Sequence, residues 1–237
     1  MSIDSHTPTC VGFIMDGNRR WAKEQGLPTF EGHRKGADVF ADCVRWVRDA
    51  GIAHAVFYAF STENWQRSEE EVSYLMDLFR ELLNKIDRQV AAENKTNQEK
   101  KVKLRIIGRK ADFSPDLQEH MTEIEKKSES YEDATTTIWI ALSYGGRAEI
   151  VTAVNEAVRR GEEVTEASFE QLLWTVGMPD PDLIIRTSGE QRLSGFVTWK
   201  SVYSELFFLD TYWPAFTQAT FHSIVEAYAE RNRRRGK

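Results

Sequence analysis

No apolar run in this chain approaches the roughly 18 residues that a membrane-spanning helix needs, so any contact with a bilayer is expected to be peripheral. The first ten residues have neither a basic n-region nor an apolar h-region, and the expected location is cytoplasmic, with membrane association only of the peripheral kind. Only two cysteines occur, Cys10 and Cys43, on separate expected elements. That excludes a disulfide framework and a zinc site with paired CxxC spacing, and it fits a reducing compartment. Repeats, low-complexity tracts and Pro/Gly/Ser linkers are also missing, so residues 1–237 are expected to form a single domain. A net charge of -6 argues against nucleic acid as a partner, although 31 lysines and arginines leave ample material for a local basic pocket.

What is present is an alternation of short apolar runs with helical patterns, the signature of an α/β fold. Strands are expected at Thr9–Met15, Ala53–Phe60, Val102–Gly108, Thr136–Leu142, Asp182–Arg186 and Glu205–Leu209, each rich in β-branched or aromatic residues. They imply one central, mostly parallel six-stranded sheet flanked by helices. Ala37, Phe40, Val44 and Val47 share a helical face, as do Val72, Leu75, Met76, Phe79, Leu82, Leu83 and Ile86. Ser68 with Glu71 reads as a capping box, and Ser114-Pro115 as an N-cap with proline at the first helical position. A last helix carries Phe221, Ile224, Val225 and Tyr228 and runs into a basic tail.

Ligands of open parallel sheets bind beyond the carboxyl ends of the strands. The first strand ends in Met15-Asp16-Gly17-Asn18-Arg19-Arg20-Trp21, a glycine turn feeding a helix whose free N–H groups suit a phosphate. Asp16 would repel that phosphate unless a cation intervened, which suggests an Mg2+ ligand; the alternative is a plain turn. The second strand ends in Ser61-Thr62-Glu63-Asn64-Trp65-Gln66-Arg67, where Asn64 either serves a site or satisfies a loop and Trp65 either lines the site or fills the core. The fifth ends in Arg186-Thr187-Ser188-Gly189-Glu190-Gln191-Arg192-Leu193-Ser194, suited to a second diphosphate or to surface ion pairing. His33 opens the second helix, where it either donates to a phosphate or caps. Glu205 begins the sixth strand and either pairs with an arginine or binds a metal.

Taken in order, Met15–Ala22, Gly32-His33, Ala59–Trp65, Tyr144-Gly145-Gly146-Arg147 and Arg186–Ser194 are similar to the signatures of the cis-prenyltransferase family, and the resemblance covers nearly the whole chain. It implies condensation of isopentenyl diphosphate with an allylic diphosphate, such as farnesyl diphosphate, to a Z-polyprenyl diphosphate of the undecaprenyl lipid-carrier kind. The allylic diphosphate would be held by Asp16 through Mg2+, by the backbone of Gly17, Asn18, Arg19 and Arg20, and by Arg20 and His33. Isopentenyl diphosphate would lie on Arg186, Arg192 and Ser194. Trp21, Ser61, Glu63, Trp65 and Arg67 complete the implied substrate-binding set, Asn64 orients near the chemical step, and Glu205 falls where the family has its second acidic group near the metal. An apolar tunnel between the sheet and the helices at 37–47 and 72–86 would take the growing chain, with Ala59 as the small residue that leaves it open. The resemblance also implies a homodimer, since Arg234-Arg235-Gly236 is similar to a C-terminal Arg-x-Gly that reaches the neighbouring site. Two departures stand out: Thr29 where many members place an arginine, and Gly195 where a polar side chain is usual.

Rival chemistries lack their residues. A trans-prenyltransferase needs DDxxD pairs, and no two aspartates are adjacent. A phosphatase using Asp16 as nucleophile needs an acid two positions on, where Asn18 stands. A non-catalytic partner subunit would be expected to lack Asp16 and the Asn64 region.

Overall fold

A computed structural model of the chain describes residues 7–96 and 101–231. Its strands are β1 (Cys10–Ile14), β2 (His54–Ser61), β3 (Lys101–Ile107), β4 (Ala134–Tyr144), β5 (Leu183–Arg186) and β6 (Glu205–Phe208). They form one sheet in the order β3-β4-β2-β1-β5-β6, and every pairing is parallel. Each expected strand is found, with ends displaced by at most two residues. Helices α1 (Asn18–Glu24), α2 (Thr29–Asp49), α3 (Glu69–Thr96), α4 (Pro115–Glu129), α5 (Gly146–Arg160), α6 (Glu166–Glu170) and α7 (Gln218–Ala229) occupy the connections.

Strands buried on both faces read as continuous apolar runs, and here the two faces separate cleanly by alternation. Phe13, Phe57, Ile140 and Ile185 point into a large core shared with α2, α3, α4 and α7. Ile14, Val56, Trp139 and Ile184 point the other way, onto Met178, Phe196 and Val197. That second face is therefore covered largely by the segment leading into and out of β5 rather than by helices alone. Register shifts break the β2–β4 pairing near Ala59 and Ser143, and irregularities of this kind re-aim strand ends next to sites.

The expected caps divide. Ser68 Oγ accepts the Glu71 N–H at 3.3 Å. Ser114 stands at the N-cap of α4 but makes no side-chain cap; its hydroxyl instead accepts from Arg80 at 3.1 Å, so a tertiary contact replaces the local one. The basic tail from residue 232 on lies outside the described residues.

Connections from β1 and β5 run to opposite sides of the sheet, toward β2 and β6, so the crevice between these adjacent strands is the topological switch point. α1 and α2 stand over that crevice in close contact. A Cβ at Gly32 would lie 2.1 Å from the Asn18 carbonyl oxygen, and the Trp213 indole N–H donates to the Gly36 carbonyl at 2.8 Å. Gly32→Ala should therefore push α1 outward. Overpacking against backbone costs about 3 kcal/mol, offset by about 1 kcal/mol of improved helix propensity, so a net loss of about 2 kcal/mol is expected. Thermal denaturation should show Tm lower by about 4–8 °C. An unchanged Tm would mean that the two helices are not in register-fixing contact.

Candidate active site

At the switch point Asp16, two residues past β1, meets Arg186, the last residue of β5. The Arg186 side chain is 5% exposed and its Nη2 donates to Asp16 Oδ2 at 2.8 Å. Its Nη1 donates to Ser194 Oγ at 2.9 Å and to the Arg192 carbonyl, while Nε is buried without a partner. Arg20, one helical turn after Asp16, donates to Asp16 Oδ1 at 3.2 Å and also reaches Ser188 and Glu190. Burial pushes the Asp16 carboxyl up, but the Arg186 hydrogen bond and charge, then Arg20 and the Gly17 N–H, outweigh it and hold the group below the usual carboxylate range. Asp16 is thus an anion inside a ring of donors.

Two cavities flank this pair. The larger, about 750 Å3, is lined by Met15 to Arg20 with Lys23, Thr29, His33 and Arg67. Its floor is the first turn of α1, which begins after Gly17 in the left-handed region at φ 104°, and whose first N–H groups have no partner inside the helix. The second, about 620 Å3, is lined by Tyr58, Ser61, Glu63, Gly146, Arg147 and Ser194 among others. Arg186 joins the two, since it binds Asp16 on one side and Ser194 on the other. The Tyr58 hydroxyl lies 3.2 Å from the Tyr144 carbonyl and 3.3 Å from that of Ser194, tying the loop after β5 to the end of β4.

The expected residues distribute unevenly. Gly17, Asn18, Arg19, Arg20, His33 and Arg67 converge with Asp16 on the larger cavity, whereas Trp21 is half-buried and does not line it. His33 lies in the second turn of α2, so it caps nothing; its Nε2 sits 3.3 Å from Glu71 Oε1. Ser61 and Glu63 line the second cavity together with Ser194. Asn64 Oδ1 accepts the Ser61 N–H at 3.0 Å, which fixes the orientation of the carboxamide. Trp65 packs on Phe60 and Phe113 and donates to Ser143 Oγ at 2.9 Å, a core and scaffold role. Arg192 is exposed and paired with Glu190.

Glu205 is not brought to Asp16 within this chain. It opens β6 opposite Leu183, three residues and about 10 Å below Arg186 along the sheet, and accepts from Arg231 at 2.6 Å. Gly195 has φ 77° and its carbonyl accepts the Gly146 N–H at 2.7 Å, so backbone holds the loop where a polar side chain is usual. The sequence reading did not assign Glu71, Ser188 or Tyr58 to the site. Glu71 left a signal in its i,i+4 spacing from Arg67, and Ser188 in its place within the loop after β5.

No cluster of three His, Cys, Asp or Glu groups able to hold a metal is found among the described residues. Asp16 is an ionised carboxylate facing a roomy cavity, which suits Mg2+ of the kind bound through one or two carboxylates, with substrate phosphate oxygens and water completing the shell.

Residues 14–236 match a family model described as "Putative undecaprenyl diphosphate synthase". The chain is 44% identical to the isoprenyl transferase of Thermotoga maritima, over 97% of each chain. It is 40% identical to the Micrococcus luteus ditrans,polycis-undecaprenyl-diphosphate synthase specific for (2E,6E)-farnesyl diphosphate, over 97% of this chain and 91% of that one. It is 39% identical to the Methanopyrus kandleri tritrans,polycis synthase specific for geranylgeranyl diphosphate, over 99% and 86%. Among solved structures, lavandulyl diphosphate synthase from Lavandula x intermedia, in complex with dimethylallyl diphosphate, superposes with TM-score 0.90 at 32% identity, over 99% and 100% of the two chains. A Campylobacter jejuni protein described as a probable undecaprenyl diphosphate synthase gives 0.79 at 26%, over 97% and 99%.

Burial lowers the His33 imidazole from its ordinary 6.5, the nearby Arg67 charge adds to this, and the Glu71 hydrogen bond only partly opposes both. His33 is therefore neutral at pH 7, and its contact with Glu71 is a hydrogen bond from an uncharged ring. Because the folded-state value is depressed, the contribution to stability is present above about 6.5 and lost as pH falls toward the folded value. Tm should fall as pH drops below about 6.5, and His33→Gln should flatten that slope; the Asp16 contribution lies at lower pH. An equal slope in both proteins would overturn the neutral assignment.

Proposed function

The chain belongs to the undecaprenyl diphosphate synthase family of cis-prenyltransferases, and from that premise we propose that it condenses isopentenyl diphosphate with an allylic diphosphate, extending a Z-polyprenyl diphosphate and releasing diphosphate. The observation that carries the reading is Arg186, a buried guanidinium joining two cavities, each furnished for a diphosphate. The allylic diphosphate belongs in the larger cavity, on Arg20 and the first turn of α1. A relative structure at 32% identity that holds dimethylallyl diphosphate supports an allylic site in this fold. Isopentenyl diphosphate belongs beside Arg186, Arg192 and Ser194. Relatives of nearly equal similarity use farnesyl and geranylgeranyl primers, so farnesyl diphosphate is our first choice of primer and the other the comparison.

In the reaction the allylic C1–O bond breaks, and the terminal alkene carbon of isopentenyl diphosphate bonds to C1. The proton on its C2 then leaves as the new double bond forms. Arg20 and the α1 backbone stabilise negative charge developing on the departing diphosphate. Arg186 fixes the two substrates relative to one another, and such alignment supplies much of the rate. A carboxamide has no useful basicity at neutral pH, so Asn64 serves to orient and a diphosphate oxygen is the proton acceptor. Mg2+, held by Asp16 and phosphate oxygens, would add charge neutralisation at the leaving group.

Beyond the larger cavity, between the sheet and helices α2 and α3, lies a narrow space of about 70 Å3 lined by Phe40, Ala59, Leu75, Phe79 and Ile140 among others. We assign it to the prenyl chain. It is well short of the roughly 300 Å3 at the lower end for ligand pockets, so chain growth must part these helices. A dimer and peripheral membrane contact at product release belong to the same proposal.

Incubation with labelled isopentenyl diphosphate, farnesyl or geranylgeranyl diphosphate and Mg2+, followed by chromatography of the dephosphorylated product, tests the activity. No elongated product with either primer would overturn it. Asp16→Asn keeps the shape of the side chain but removes the charge that faces metal and Arg186; kcat/KM should fall by about three orders of magnitude, with the protein still folded. Ala59→Leu should shorten the product by filling the narrow space. Full turnover by the first variant, or an unchanged product distribution in the second, would refute the corresponding assignment.

A further inference from the structure

Left-handed backbone at a residue other than glycine is uncommon, and among the described residues it occurs at Ser143, Ser188, Ser194 and Val197. The three serines share a second property, since each hydroxyl accepts from a side chain at the strand ends: Ser143 from Trp65 at 2.9 Å, Ser194 from Arg186 at 2.9 Å, and Ser188 from Arg20. Ser194 lines the second cavity and Ser143 steadies a core indole, whereas Ser188 serves a cation of the larger cavity. Its φ is 82°, and the next residue, Gly189, has nearly the same φ of 77°. The loop after β5 thus takes two left-handed residues in succession and uses glycine for only the second. The N–H groups of both donate to backbone, Ser188 to Thr211 at 2.9 Å and Gly189 to Leu209 at 2.8 Å, so the conformation is fixed without any side chain. A glycine at 188 would satisfy this loop with less strain.

What serine adds is one hydroxyl. We infer that Ser188 is a positioning residue for the allylic diphosphate, aiming Arg20 at the larger cavity and carrying backbone strain to do so. The inference rests on the assignment of that cavity to the allylic substrate. Ser188 is 5% exposed, and a Cβ at Gly17 would lie 2.9 Å from its Cβ, so the side chain is wedged against the turn that opens α1. Arg20 Nη2 donates to the hydroxyl and Nη1 to the Ser188 carbonyl at 3.2 Å, so a single residue holds both arms of the guanidinium. The remaining partners, Asp16 and Glu190, are carboxylates, which hold a cation but cancel part of its charge. A neutral hydroxyl and a carbonyl fix the group and leave its charge for a dianionic ligand. Without the hydroxyl, a side chain that is 43% exposed regains rotamer freedom toward solvent.

Steady-state kinetics with farnesyl diphosphate, isopentenyl diphosphate and Mg2+ should be measured for the full chain, Ser188→Gly, Ser188→Ala, Arg20→Ala and the double variant Arg20→Ala with Ser188→Gly, with Tm recorded for each. Glycine and alanine both remove the hydroxyl, but only alanine keeps a Cβ in left-handed backbone. Both single Ser188 variants should therefore lose about tenfold in kcat/KM for farnesyl diphosphate, while the KM for isopentenyl diphosphate stays within about twofold. Their Tm values should separate, with the glycine variant about 2–4 °C above the alanine variant. In the Arg20→Ala background the glycine should cause no further loss, because Ser188 acts through Arg20. If Arg20→Ala lowers kcat/KM for farnesyl diphosphate and neither Ser188 variant does, the positioning role is wrong and the cavity assignment stands. If Arg20→Ala leaves it unchanged, the cavity assignment fails and takes this inference with it. A loss confined to Ser188→Ala and following its lower Tm, or additive losses in the double variant, would mark Ser188 as a support of the loop and overturn the inference.

Discussion

A guanidinium keeps its charge even when its side chain is 5% exposed, so burying it without an anion is costly, and Arg186 finds that anion 170 residues away in Asp16. Breaking such a pair by removing one partner costs about 3–5 kcal/mol for a fully buried pair, and less here because the Asp16 side chain is 30% exposed. The constraint shapes what surrounds it. β1 and β5 must be neighbours for the charges to meet, and the loop after β5 must fold back so that Ser194 and the Arg192 carbonyl take the remaining donors. The Thr187 hydroxyl and the Trp213 N–H both donate to the Asp16 carbonyl, clamping the same turn from its other side.

The same economy of charge runs through the rest of the site. Arg20 rests on Asp16, Ser188 and Glu190, Arg192 on Glu190, and Arg67 on Glu71. A surface guanidinium left to itself samples many rotamers, and ordering it on binding is unfavourable. Internal acids complete that ordering during folding, so an incoming dianionic group meets donors already aimed. The arrangement also offsets the repulsion between neighbouring guanidinium groups.

Much of this fold was legible in the residues because the central strands β1, β2 and β5 leave nearly unbroken apolar runs, while the edge strand β3 alternates apolar with charged residues. Asp16, Arg20 and Arg186 were legible for a related reason: charged side chains placed at the carboxyl ends of such runs have a site to serve. What could not be read was anything fixed by tertiary choice. Ser114 carries the signature of a cap, yet Arg80 competes for its hydroxyl and wins. His33 looked like a helix opener because the start of α2 at Thr29 follows an ordinary loop, and only the fold reveals that its partner is Glu71 across the cavity wall. Glu205 was read at the start of the sixth strand, and because β5 and β6 pair in parallel that start lies away from the carboxyl ends of the strands, where it takes Arg231 as its partner. Tyr58 and Ser188 reach the site through backbone carbonyls and an unusual φ of 82° at Ser188, neither of which has a sequence pattern.

Arg186 hydrogen-bonds toward both cavities with separate nitrogens of one rigid, planar group. Anything that draws Nη2 away from Asp16 therefore tilts Nη1 with respect to Ser194, and the reverse holds equally. Any coupling that this shared group carries between the two cavities is reciprocal: whatever factor an occupant of one confers on the affinity of the other must be returned in full. A planar cation shared in this way would let a single side chain carry such coupling without a moving domain.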